Sequence, residues 1–164
     1  MLTFEKILSD EQLRQTAALA DEIWHQHFSG IISDGQIDYM VEKFQSYPAL
    51  KAQTESGYDY YGFFVDGIQA GYFGICEKPD NTLFLSKLYL KKEYRGRGYA
   101  SKAFDFIRNI GRKNGNTMVW LTVNRHNDPS IEVYKHWGMK VLRTEAADIG
   151  GGYVMDDYVF GLEL

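Results

Sequence analysis

The chain has little of what would tie it to several large classes of protein. It holds 164 residues and a single cysteine, Cys76, which excludes an internal disulfide framework. Cys76 sits in an apolar run, where use as a small buried hydrophobe is the plain expectation. Prolines number only three, and no linker, repeat or low-complexity tract stands out. No apolar run approaches the roughly 20 residues of a membrane helix, so no membrane association is expected. Met1 to Lys6 lacks a basic start followed by an apolar core, the pattern of a secretory signal. With the unpaired thiol, this leads to an expected cytoplasmic location. Positive charge is also short: the formal net charge is −4, which argues against a nucleic-acid binder. His25 and His27 are two apart and do not share a helix face, so no metal site is expected. What remains is ordinary globular material, 45% hydrophobic and 24% charged. Its length suits one domain, residues 1–164, with a substantial core.

The pattern alternates between helix and strand. Thr3 to Leu8 reads as a strand. Ser9 with Gln12 offers a capping box for a helix carrying Leu13, Ala17, Ala20, Ile23 and Trp24 at helical spacing. Ser33 with Gln36 offers a second, with Ile37, Met40, Val41 and Phe44 as its stripe, and Pro48 marks a break. Tyr58 to Val65 and Ile68 to Cys76 form strands joined at Asp66-Gly67, a strong hairpin signal. Thr82 to Leu90 is strand, Ala100 to Lys113 helix, and Thr117 to Val123 strand. Residues 129–137 are helix, with Asp128 as a cap, Pro129 at its first position and Gly138 as its left-handed stop. Met139 to Thr144 is strand, and Gly150-Gly151-Gly152 bends the chain before Tyr153 to Leu162. Strand-helix-strand from Leu83 through Val123 demands a right-handed parallel crossover, whereas the hairpins demand antiparallel neighbours. The fold class is therefore α/β (α+β): a mixed, mostly antiparallel central sheet flanked by helices.

One stretch carries chemistry. In Leu88-Tyr89-Leu90-Lys91-Lys92-Glu93-Tyr94-Arg95-Gly96-Arg97-Gly98-Tyr99-Ala100, an apolar strand enters a glycine-rich, arginine-bearing turn and a helix follows at once. Glycines admit a ligand close to the backbone, and the helix N-terminus favours an anion such as a pyrophosphate. Residues 91–102 carry five cations against one carboxylate, so the remainder of the chain is net −8. GxxxxGK[ST] is absent, and Ser101 stands where a dinucleotide fingerprint needs its third glycine. Arg-x-x-Gly-x-Ala, from Arg95, Gly98 and Ala100, is what remains. It resembles the acetyl-coenzyme A loop of the GNAT superfamily of N-acetyltransferases. A second segment, from Val123 through Asn127, Ser130 and Tyr134 to Gly138-Met139, resembles that superfamily's next motif. Ser130 and Met139 replace the alanine and phenylalanine of many relatives. Asn127 and Tyr134 lie two helical turns apart on one face.

The resemblance implies an acetyl-coenzyme A-dependent N-acetyltransferase, with direct attack of an amine in a ternary complex and no metal. Leu88, Tyr89 and Leu90 would hold the pantetheine arm, a backbone N–H near Leu88 would polarise the thioester, and Arg95, Gly96, Arg97, Gly98, Tyr99 and Ala100 would hold the pyrophosphate. Tyr134 would protonate the leaving thiolate, and Asn127 would lie near the pantetheine or simply cap a turn. No carboxylate occurs in Phe84-Leu85-Ser86-Lys87-Leu88, so the base would be water or a group elsewhere, with His25, His27, Asp156 and Asp157 as candidates. The segments Glu22 to Phe28, Ile37 to Ser46, Phe84 to Tyr89 and Asp148 to Tyr158 look similar to bacterial PaiA-type polyamine acetyltransferases, which implies spermidine or spermine as acceptor. Glu22, Asp34, Asp38, Asp156 and Asp157, with Trp24, Tyr39 and Tyr153, are the residues for such a polycation, and His25 is a further candidate contact. Another small amine, a protein N-terminus or lysine, and a non-catalytic acetyl-coenzyme A sensor are the alternatives. An aromatic share of 15% leaves room for a homodimer interface without locating one.

Overall fold

The computed structural model describes residues 1–164, and its centre is one seven-stranded sheet in the order β1-β2-β3-β4-β5-β7-β6. The strands are β1 (Leu2–Lys6), β2 (Tyr58–Val65), β3 (Ile68–Glu77), β4 (Leu83–Leu90), β5 (Met118–Asn124), β6 (Lys140–Gly150) and β7 (Tyr153–Glu163). The helices are α1 (Asp10–Phe28), α2 (Asp34–Met40), α3 (Tyr47–Glu55), α4 (Tyr99–Lys113) and α5 (Asp128–His136). Every neighbouring pair is antiparallel except β4 and β5. This is the mixed, mostly antiparallel sheet expected, with the parallel crossover between β4 and β5.

Local signals account for most element ends. Ser9 and Gln12 close the capping box of α1 from both sides, and Ser33 caps α2 through the Gln36 amide. Asp66 and Gly67 have φ of +51° and +83°, the left-handed pair that a two-residue hairpin turn requires. Three expectations need correction. Pro48 does not end structure; it sits in the first turn of α3, where its missing N–H is not needed. Asn127, not Asp128, occupies the N-cap of α5, and Asp128 lies in the first turn. β6 also runs on to Gly150, six residues past Thr144, because Glu145 to Asp148 pair with Asp157 to Val154 of β7.

The middle of the sheet is covered on both faces, while the edge strand β6 is exposed. Phe63, Phe73, Leu85 and Val119 pack with Phe104 and Ile107 of α4 and Ile131 of α5. Tyr60 and Tyr72 pack on the opposite side with Leu13, Ala20 and Ile23 of α1 and Leu50 of α3. A smaller cluster joins Trp24 and Phe28 of α1 to Ile37 and Met40 of α2. No helix is long and apolar enough to cross a membrane.

Candidate active site

The parallel pair is the origin of the site. β4 and β5 are joined only at Leu83–Val119 and Phe84–Trp120, and then they part. Beyond Phe84, β4 is paired with β3 alone. The phase of its amides is fixed by Lys91, whose N–H donates to the Ala70 carbonyl at 2.8 Å. Alternate amides therefore face β3, and those of Leu88 and Leu90 face the gap. The Leu90 carbonyl, on the gap side, accepts from Arg95 Nε at 3.0 Å. Gly71 lets β3 and β4 approach this closely, because a Cβ there would stand 2.2 Å from the Tyr89 carbonyl oxygen.

A cavity of about 410 Å³ lies on one side of the gap. It is lined by Leu88, Tyr89, Leu90, Arg95, Gly96, Gly98, Tyr99 and Ala100, and by Ser130, Tyr134 and Trp137 from the α5 region. Of the residues expected to hold a pyrophosphate, only Arg97 is outside this lining; its guanidinium lies over the Tyr94 ring at 5.8 Å. The loop fits an anion. Gly98 is the N-cap of α4 with φ +80° and no side chain to satisfy the first-turn amides. A Cβ at Gly96 or Gly98 would meet no atom within 4 Å, so the space over the loop is open. His27 enters the same cavity, where burial first and the Arg95 charge second hold its imidazole below the usual range.

A second cavity, about 420 Å³, opens on the other side of the gap under α1, α2 and α3. Leu88, Tyr89, Ser130 and Tyr134 line both cavities, so the two meet there. Tyr134 is partly buried, and burial alone pushes its hydroxyl up to about 12. It is therefore a proton donor throughout the neutral range. Asn127 is 4% exposed and lines the second cavity; its side-chain oxygen accepts from His27 Nε2 at 3.1 Å.

The second cavity contains two ionisable groups besides its tyrosines, Lys87 and Asp157. Asp157, on β7, pairs with Asn124 across β5 and has 6% of its surface exposed. Burial raises its carboxyl to about 6, and the nearby charges of Asp156 and Glu145 push the same way. Lys87 is equally buried, and desolvation lowers it to about 7. Its Nζ donates to the Phe44 carbonyl at 2.7 Å, Gln53 Oε1 at 2.6 Å and Tyr60 Oη at 2.6 Å. No motif in the sequence assigns Lys87 a role, since Phe44, Gln53 of α3 and Tyr60 of β2 are brought to it only by the packed fold.

The acceptor candidates divide clearly. Trp24 lines the second cavity. His25 instead clamps α1 to α2, with Nε2 2.6 Å from Asp38 Oδ1, and that partner raises its pKa. Tyr39 donates to the Ile149 carbonyl at 2.9 Å and lies against Tyr153 at 5.2 Å between ring centres. Asp156 pairs with Arg125 at 3.4 Å. His25, Tyr39 and Asp156 thus do not line either cavity. Of the four candidate bases, Asp157 alone reaches the second cavity and His27 alone the first.

Residues 17–139 match the model of the acetyltransferase (GNAT) family, and the chain belongs to that family. It is 26% identical over 140 residues to an uncharacterised N-acetyltransferase encoded in the pepI 3′ region of Lactobacillus delbrueckii subsp. lactis, covering 80% of this chain and 81% of that one. An uncharacterised N-acetyltransferase of Mycobacterium bovis is 32% identical over 99 residues, 60% of this chain and 63% of its own. Among solved structures, the fold matches PaiA N-acetyltransferase from Thermoplasma acidophilum in complex with coenzyme A, with a TM-score of 0.82 at 24% identity over 100% of this chain and 99% of that one. A GCN5-related N-acetyltransferase from Rhodopseudomonas palustris matches with a TM-score of 0.83 at 15% identity over 99% and 95%.

Proposed function

We propose that this chain transfers an acetyl group from acetyl-coenzyme A to a small primary amine within a ternary complex. The observation that carries the proposal is the meeting of two cavities at Leu88 and Tyr134, one beside the anion-binding loop and the other holding a single carboxylate. Bound acetyl-coenzyme A supplies a thioester carbonyl and a thiolate leaving group. The free amides of Leu88 and Leu90 hold the donor along β4, and the Leu88 N–H polarises the carbonyl oxygen. Arg95 and the first turn of α4 hold the diphosphate. Asp157 takes a proton from the acceptor ammonium, which frees the nitrogen lone pair for attack. As the new C–N bond forms and the C–S bond breaks, the Tyr134 hydroxyl gives its proton to the sulfur, and the second proton leaving the nitrogen restores the phenol.

The polyamine acceptor implied by sequence resemblance asks for carboxylates spaced along a channel. Four of its five acidic candidates stand outside both cavities, and three of them have cationic partners: Glu22 with Lys91, Asp38 with His25 and Asp156 with Arg125. The acceptor class is accordingly the small primary amines, of which a polyamine is one member.

The test is thiol release from acetyl-coenzyme A with a panel of amines and a no-amine control, in the wild type and in Tyr134→Phe. Amine-dependent release is expected, with kcat about 100-fold lower in the variant and coenzyme A affinity unchanged. Absence of amine-dependent release would refute the reading, and equal kcat in Tyr134→Phe would remove Tyr134 from the chemistry.

A further inference from the structure

The second cavity is chemically lopsided. Its wall is aromatic: Trp24 and Phe28 lie 4.3 Å apart between ring centres, Tyr89 meets Trp24 edge-on at 5.5 Å, and Phe44, Tyr58 and Phe84 contribute further rings. Asp157 is the sole carboxylate in this lining, and no cation of the chain pairs with it. The acids nearest to it are already matched, Asp156 to Arg125 and Glu145 to Arg143 at 2.9 Å. A buried carboxylate without a counter-charge is costly, and an incoming ammonium would supply one.

Lys87 acts in the opposite sense. Its three donors are all engaged by Phe44, Gln53 and Tyr60, so it offers no hydrogen bond to a ligand. While protonated, below about pH 7, it presents positive charge inside the cavity, against any second cationic centre. The region around it is otherwise furnished by neutral amides, Gln45 and Gln53.

From this arrangement, and resting on the acetyl-transfer reading above, we infer that the acceptor is a primary monoamine on an apolar, ring-bearing body. Its ammonium pairs with Asp157, its body lies against the Trp24–Phe28–Tyr89 wall, and Lys87 excludes polycations. A cavity of about 420 Å³ suits a compact molecule of this kind. Asp157 and Lys87 are then the specificity-determining pair, one attracting the first charge and the other rejecting the second.

The experiment compares phenethylamine, tryptamine, putrescine, spermidine and spermine at saturating acetyl-coenzyme A and about pH 6.5, where Asp157 is ionised and Lys87 protonated. The proteins are the full-length wild type, Asp157→Asn and Lys87→Gln. A ring-bearing monoamine should exceed spermidine in kcat/KM by about tenfold or more in the wild type, and Asp157→Asn should cut that value about 100-fold, the scale of losing a buried charge partner. Lys87→Gln removes the charge while keeping two of the three donors, and should narrow the gap by raising turnover of the polyamines. Spermidine or spermine preferred by the wild type, or an unchanged preference in both variants, would overturn the inference. Thermal stabilisation by acetyl-coenzyme A alone separates the two levels. Stabilisation without monoamine turnover sinks the acceptor class only, whereas no stabilisation sinks the acetyl-transfer reading beneath it.

Discussion

His27, one residue from the end of α1, donates its Nε2 proton to the side-chain oxygen of Asn127 at the N-cap of α5, a hundred residues later in the chain. The bond ties α1, which lies over the second cavity, to the helix that carries Tyr134. It also fixes the neutral imidazole as the Nε2–H tautomer.

Asn127→Ala should therefore loosen two elements at once. A loss of about 1–2 kcal/mol is expected in urea unfolding, the cost of a part-buried hydrogen bond whose donor is left alone. Tyr134 should be less well placed, so kcat should fall more than the affinity for acetyl-coenzyme A. Unchanged stability and unchanged kcat would show that the bond does not position α5.

Gly98 makes a sharper prediction. Its φ of +80° is a conformation that a β-branched residue adopts only at a cost, while the space around it is open. Gly98→Val should stay folded, since no neighbour is struck, and should turn the first amides of α4 away from the diphosphate. The thermal shift caused by acetyl-coenzyme A should vanish. A normal shift in a folded Gly98→Val protein would remove the loop assignment.

Asp157 joins activity to stability with a definite sign. Its carboxyl titrates near 6 in the fold against an ordinary 3.8, so the native state binds the extra proton between those values. Stability is thus lost as pH rises from about 4 to 6 and stays at its lower level above that. Removing the charge should recover it: Asp157→Asn is expected to gain on the order of 2 kcal/mol at pH 8, with the gain disappearing by about pH 4. Denaturant unfolding at the two pH values checks this. The same substitution should impair acceptor use, so the gain in stability comes with a loss of activity. In the wild type, kcat/KM should decline as pH falls through about 6, where the carboxylate is protonated.

Much of this arrangement is legible from residue order because its causes are local. The capping box at Ser9, the left-handed turn at Asp66-Gly67 and the glycine loop before α4 each act within a few residues. α3 was hidden because Pro48 signals both a break and a helix start, and only packing of Leu50 against Tyr60 and Tyr72 decides between them. The far half of β6 was hidden for another reason. Glu145 to Asp148 are exposed, carry no apolar alternation and are strand only because β7 pairs with them. In the site, Tyr134 and the loop could be found by motif. Lys87 could not, since Phe44 and Gln53 reach it from 43 and 34 residues away.

The junction of β4 with β5 makes the sheet a pair of shears pivoted at Phe84 and Trp120, whose rings stack at 4.3 Å. Leu88 lies four residues along one blade, about 13 Å from the pivot at ~3.3 Å per residue. A turn of about 5° there sweeps the Leu88 amide through roughly 1 Å, a displacement large enough to cost orders of magnitude in rate. A ring substituted at Phe84 or Trp120 would then register in the chemistry of residues it never touches, and the grip of two strands at their closed end governs the aim of the whole blade.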